Sequence, residues 1–210
     1  PGKMFVVDSV RVTVQDDAIK EILEKHKKET LLVPGINLDA SVLDDERNRI
    51  VDLVHRYGYF RFNRDYVSFV ADTAKGSDKV GLRMIVAAES TDDDGTVHAH
   101  RQFTISSINY VLSDKNGNLP DPAVASSVEN YNGFTLMYPG NSRKPMLRPK
   151  IVDIHSFLRE GMTYNSDSIS KTYSSLSRLG MLRYTNISFS EIPESDNLLR
   201  ADVLLMSLPK

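Results

Sequence analysis

"HRYGYFRFNRDYVSF", residues 55–69, is answered later in the chain by "SRLGMLRYTNISF", residues 177–189. In both, an Arg stands two residues before a Gly (Arg56 and Gly58, Arg178 and Gly180), and a second Arg follows three residues after it (Arg61, Arg183). Both close on Ser-Phe, with two extra residues in the first copy. A degenerate pattern repeated at long spacing marks two copies of one supersecondary unit. Each copy reads as a helix end followed by the entry to a strand. Gly58 and Gly180 stand just past the last apolar-periodic residue, where a helix stop needs φ > 0. The Arg before each Gly meets the negative end of the helix dipole. The pairs Tyr59-Phe60 and Met181-Leu182 are expected to fold back under the helices.

Outward from the first copy, Phe5 to Val14 reads as a strand, with Val6, Val10, Val12 and Val14 among polar residues. Asp16 and Asp17 supply a helix cap, and Ile19, Ile22, Leu23 and His26 recur on one helical face. Pro34-Gly35 breaks the chain. A second helix is expected from Asp44-Asp45, burying Ile50, Val54 and Tyr57 with Leu53 beside them. Two strands follow, "DYVSFVAD" and "KVGLRMIVAA", joined by a loop holding Lys75, Gly76, Ser77 and Asp78. The order is β-α-α-β-β. The acidic, turn-rich "ESTDDDGTV" at 89–97 reads as a linker or a long hairpin tip.

The order then repeats. "RQFTISSINYVL" is a strand, and "IVDIHSFLREG" a helix with Ile151, Ile154, Phe157 and Leu158 inward, stopped at Gly161. Asn165 or Ser166 caps a helix carrying Ile169, Tyr173, Leu176 and Leu179, stopped at Gly180. "RYTNISFSEI" and "LLRADVLLMSL" are the closing strands. This copy carries an insertion, 113–149, with an Asn116-Gly117 turn, an extra strand "GFTLMYP" and a basic, Pro-rich "NSRKPMLRPK". The fold class is therefore α+β: two tandem domains at 1–90 and 98–210, each a small mixed sheet covered by two helices.

At 210 residues, 40% hydrophobic and 26% charged, the chain has enough material for two packed cores. A net charge of −2 provides no overall basic field, so nucleic acid is not an expected partner. The absence of Cys removes disulfides, thiolate metal sites and thiol catalysis. No stretch reaches the roughly 18 apolar residues of a membrane helix. His98 and His100 could share one side of a strand as a metal pair, but no third ligand is evident. Asp92-Asp93-Asp94-Gly95 and "SDKNGNLPD" lack the ligand spacing of a calcium loop and read as turns. His26 and His155 fall on or beside apolar helix faces, as core-edge packing residues. The basic run Arg143, Lys144, Arg148 and Lys150 reads as a solvated face, with a membrane-surface or partner contact as the alternative. There is no nucleophile elbow, phosphate loop or dinucleotide fingerprint, so neither an enzyme nor a cofactor is expected.

The repeated β-α-α-β-β order, with Gly161, Tyr164, Leu176, Leu179, Gly180 and Leu182 in place, resembles the POTRA domains of the BamA/TamA family of outer-membrane assembly factors. The family pattern is "G-x-x-Y" followed by "L-x-x-L-G-x-F-x-x-V-x-I". Leu182 stands where the family often has Phe, and Phe60 fills that place in the first unit. Ile187 stands further from its Gly than the usual Val. The first unit lacks a clear "G-x-x-Y", and its inter-helix loop is longer. The resemblance implies a non-enzymatic periplasmic scaffold, tethered to the outer membrane of a Gram-negative bacterium through a C-terminal membrane β-barrel beyond this piece of the protein. Its implied partners are unfolded outer-membrane proteins and accessory assembly subunits. It further implies that the strand after the second helix is a sheet edge able to pair with an extended client. The candidate residues on those strands are Tyr66, Ser68, Val70 and Asp72, and Tyr184, Asn186, Ser188 and Ser190. Proline at Ser188 is expected to reduce such binding if that N–H faces the client. Alternatives are the periplasmic part of a polypeptide-secretion translocator, a POTRA-like division protein, or an unrelated α+β ligand-binding or enzyme domain.

Overall fold

A computed structural model describes residues 4–74, 77–121, 126–140 and 144–208. The expected loop residues Lys75 and Gly76, and Arg143 of the basic run, lie outside these. The chain divides into two units, Pro1–Arg101 and Gln102–Lys210. In the first, strand β1 (Val6–Val14) leads into helix α1 (Asp17–Lys25) and helix α2 (Ala40–Arg56), then strands β2 (Val67–Thr73) and β3 (Lys79–Val86). β3 is the central strand, parallel to β1 and antiparallel to β2. Val80, Leu82, Met84 and Val86 alternate along β3 and are buried with Ile19, Ile22, Leu23, Ile50, Leu53 and Val54 of the helices. Asp16 caps α1, its Oδ1 accepting from the Ala18 and Ile19 N–H groups. α2 starts earlier than Asp44-Asp45, because Asp39 already caps it through the Ser41 N–H. Residues 89–97 contain a short hairpin, β4 (Ser90–Thr91) with β5 (Val97–His98).

The second unit runs β6 (Thr104–Leu112), β7 (Ser126–Tyr131), β8 (Phe134–Pro139), α3 (Pro149–His155), α4 (Ser166–Ser177), β9 (Leu182–Glu191) and β10 (Leu198–Ser207). The β6–β10–β9 core repeats the pattern of the first unit: parallel, then antiparallel. The insertion is a hairpin, β7–β8, that lies along the free side of β6 and extends the sheet to the order β7–β8–β6–β10–β9. The sequence pattern there marks only "GFTLMYP" as a strand. Its partner β7 is signalled by Asn132-Gly133, which take φ of 43° and 83° as a two-residue hairpin turn requires.

The backbone hydrogen bonds show how closely the units correspond. In the first, the Gly35 N–H donates to the Val7 carbonyl, the Val7 N–H to Ile36 and the Leu38 N–H to Phe5. In the second, the Gly161 N–H donates to Ile105, the Ile105 N–H to Met162 and the Tyr164 N–H to Phe103. Gly35-Ile36-Asn37-Leu38 is thus the first unit's counterpart of Gly161-Met162-Thr163-Tyr164. Both first strands carry an irregularity at the same step, skipping Asp8 in one and Ser106 in the other. Gln15 donates to Val86 where Ser113 donates to Leu205. Correspondence breaks just after this point: Asp16 starts a helix, while Asp114 accepts from the Asn116 and Asn118 N–H groups and starts the insertion.

This geometry corrects several expectations. Gly161 does not cap a helix, because α3 stops at His155. The next backbone donors are taken elsewhere: the Phe157 N–H by Thr172 Oγ1 (3.0 Å) and the Leu158 N–H by Ser156 Oγ (3.1 Å). Ile154 and Phe157 are consequently exposed, while Val152 and Leu158 are buried. Met181 is also exposed; in the other copy Tyr59 and Phe62 are the buried pair. The shared Ser-Phe is out of step by two residues. Phe69 faces Met84 and Phe189 faces Ala201, whereas the position equivalent to Met84 is Val203, opposite Ile187.

Gly58 and Gly180 both take positive φ, 99° and 63°. A Cβ at Gly180 would meet nothing within 4 Å, so the cost of substitution is backbone strain alone. Gly180→Val is expected to lower the stability of the second unit by on the order of 1–2 kcal/mol. Urea denaturation checks this; an unchanged midpoint would remove the capping role.

Candidate strand-pairing edges

β2 and β9 are terminal strands of their sheets. The phase of their hydrogen bonds decides which residues such an edge offers. The Ala87 N–H donates to the Tyr66 carbonyl, so in this antiparallel ladder residues of the same parity, Ser68, Val70 and Asp72, turn their backbone groups toward β3. Val67, Phe69, Ala71 and Thr73 turn theirs outward. In β9, the Ile192 N–H donates to the Leu198 carbonyl, which sets Tyr184, Asn186, Ser188 and Ser190 toward β10 and Thr185, Ile187, Phe189 and Glu191 outward. The eight candidate residues therefore lie on or beside the edge strands but face the wrong way for backbone pairing. Tyr66 is not in β2 at all; it ends a short 3₁₀ turn, Arg64–Tyr66, stacked on Phe62. A proline at Ser188 would break the β9–β10 ladder rather than remove an outward donor.

Side chains close part of each edge. Arg47 Nε donates to the outward Val67 carbonyl (2.9 Å), and its guanidinium lies over the Phe69 ring. Asp44 holds that Arg in place and also pairs with Arg64, both at 2.8 Å. In the second unit, the outward Ile187 N–H donates to the Tyr173 hydroxyl (2.7 Å). Tyr173 and Arg47 act as plugs that limit strand addition. β2 remains the more accessible edge, at Phe69 and Ala71, with Ala71 exposed. Neither plug is legible in the sequence, since each depends on a helix lying beside the strand.

The other singled-out residues have local partners. His98 Nε2 lies 2.8 Å from Asp92 Oδ2. His100 is buried between the rings of Phe62 and Tyr66; its N–H donates to Asp16 Oδ2 and its Nε2 lies 3.0 Å from the Ala87 carbonyl. Among the described residues no three His, Asp or Glu side chains converge as a metal site would require. His26 meets the Tyr57 hydroxyl and Glu29; His155 meets Ser175 Oγ. Burial pushes the Tyr110 hydroxyl up to about 12, and it is hydrogen-bonded to Ser156.

BamA from Haemophilus ducreyi lacking POTRA domains 1–3 superposes on 97% of the chain with a TM-score of 0.62 at 11% identity. The fold is that of a POTRA pair. The chain spans 30% of the length of that structure. POTRA1–2 of the periplasmic domain of Omp85 from Anabaena aligns with 96% of the chain and 95% of its own at 11% identity, with a TM-score of 0.40. CdiB from Acinetobacter baumannii aligns with all of this chain and 31% of its own at 8% identity, with a TM-score of 0.35. No protein-family model and no curated protein sequence matches. The POTRA fold is thus carried here by pattern, with almost no shared sequence.

Proposed function

We propose that this chain is a non-catalytic periplasmic scaffold in outer-membrane protein assembly. It receives extended segments of unfolded barrel proteins, docks accessory subunits and precedes a membrane β-barrel elsewhere in its parent protein. The observation supporting this most directly is the terminal strand β2 of a POTRA fold, whose Phe69 and Ala71 turn their backbone groups outward. Pairing through N–H and C=O is indifferent to most side chains, which suits a scaffold with many clients.

The test is an NMR titration with capped peptides of alternating apolar and polar residues. Shifts are expected at Phe69, Ala71 and Thr73, with affinity of about micromolar to millimolar because ordering the peptide offsets much of the gain. A scrambled peptide with the same alternation should bind nearly as well. Ala71→Pro removes an outward N–H without touching the β3 ladder, so it should preserve the fold and weaken binding severalfold. Circular dichroism checks the fold. Shifts confined to a closed pocket, or none at millimolar peptide, would overturn strand addition at β2.

A further inference from the structure

The two units differ at one edge, and each shows what the other's would look like. Counting from the shared irregularity, Val10, Val12 and Val14 of β1 are the counterparts of Ile108, Tyr110 and Leu112 of β6. In β6 these three are buried, Tyr110 at 0% exposure, because β8 lies alongside with Leu136 opposite Tyr110. In the first unit the segment 35–38 covers only the start of β1; among the described residues no strand lies along Val10–Val14, and Val12 is 52% exposed. The Gln15 N–H donates to the Val86 carbonyl, so Gln15, Thr13 and Arg11 turn their backbones toward β3. Val10, Val12 and Val14 therefore offer outward N–H and C=O groups and, from the same residues, aliphatic side chains. Those side chains line a groove closed on its far side by Lys20, Leu23, Lys27 and the Glu46–Arg49 pair.

We propose that this groove on β1 docks an extended segment of another polypeptide, added parallel to β1, with apolar residues at alternate positions. β8 shows the chemistry that fits: Phe134, Leu136 and Tyr138 are buried in turn, with Thr135 and Met137 between them. By equivalence the register sets a β8-like leucine opposite Val12. Lys20, Lys27 and Arg49 against Glu24 and Glu46 give the groove wall an excess of one positive charge, so the incoming segment is neutral or acidic. This edge is on the opposite side of β3 from β2, and its occupation is independent of β2 pairing.

The probe is a capped peptide with the sequence of residues 133–140, titrated into the ¹⁵N-labelled chain. The expected result is shifts at Val10, Val12, Val14 and Leu23, and preferential broadening near Val10 from a spin label on the peptide's N-terminal end, as parallel pairing demands. Val12→Lys, at an exposed position, should keep the fold and reduce binding at least tenfold, while Ala71→Pro should leave it unchanged. Shifts at Phe69 and Ala71 instead, antiparallel broadening, no shift at millimolar peptide, or β1 shifts that follow chain concentration without peptide would each overturn the proposal. The last outcome would assign the groove to a second copy.

Discussion

Glu46→Ala is expected to destabilise the first unit by about 3 kcal/mol, the low end of what removing one partner of a buried ion pair costs. Glu46 is completely buried in α2, yet both its oxygens are engaged. Oε1 accepts from Thr30 Oγ1 (2.8 Å) and Arg49 Nη2 (2.7 Å); Oε2 accepts from the Leu31 N–H (3.0 Å) and Arg49 Nε (2.8 Å). The carboxylate ties the segment after α1 to α2 and holds the Arg49 guanidinium more strongly protonated than usual, chiefly through their hydrogen bond. Arg49 keeps 19% side-chain exposure, so once orphaned it can turn partly to water, which places the cost at the low end. The opposite deletion, Arg49→Ala, leaves a fully buried carboxylate with two donors and should cost at least as much. Chemical denaturation of both variants measures this. A loss below about 1 kcal/mol for Glu46→Ala would show the pair to be no more than an ordinary surface interaction.

Leu136→Ala should cost the second unit about 3 kcal/mol, within the usual range for a leucine truncated in a packed core. Leu136 is fully buried in β8 and belongs to one core with Tyr110, Val152, Leu176 and Val203. The β7–β8 hairpin is thus part of the core rather than an appendage. Val128→Ala in β7, where the side chain is exposed, should change stability by less than about 0.5 kcal/mol. Amide exchange resolved by unit provides the readout: Leu136→Ala should accelerate exchange in β6, β8 and β10 and leave β1–β3 unchanged. A uniform response across both units, or none, would refute this placement of the hairpin.

The element order was legible because each element carries its own period and its own stop. The apolar spacing of Ile19, Ile22 and Leu23, the break at Pro34-Gly35 and the glycines at 58 and 180 are local signals, and local signals survive into the fold. What could not be read depends on neighbours distant in sequence. The pairing of β8 with β6 is such a case, although Asn132-Gly133 did announce a hairpin. So is the early end of α3, which follows from Thr172 and Ser156 capturing the donors of the next turn. The candidate edge strands could be located from element order, but the side each residue turns to solvent could not. Alternation of side chains assigns faces of a sheet; the phase of the ladder that turns Phe69 and Ala71 outward is fixed only by the partner strand. Ser68 and Ser188 stand out as letters in a repeated motif, while the residues that present the edge, Ala71 above all, carry no compositional mark.

In each unit the main sheet's last strand in the sequence is inserted between two earlier ones: β3 between β1 and β2, β10 between β6 and β9. A chain that emerges N-terminus first therefore exposes β1 long before its ladder partner exists, since Val6 must wait for Lys79. The second unit is not so constrained, because Thr135 reaches Asn109 across a much shorter loop, and closing a shorter loop loses less entropy. During vectorial synthesis or export the second unit has a partner for β6 before either of its helices has been made. The first is, over the same stage of its growth, a pair of helices awaiting a sheet.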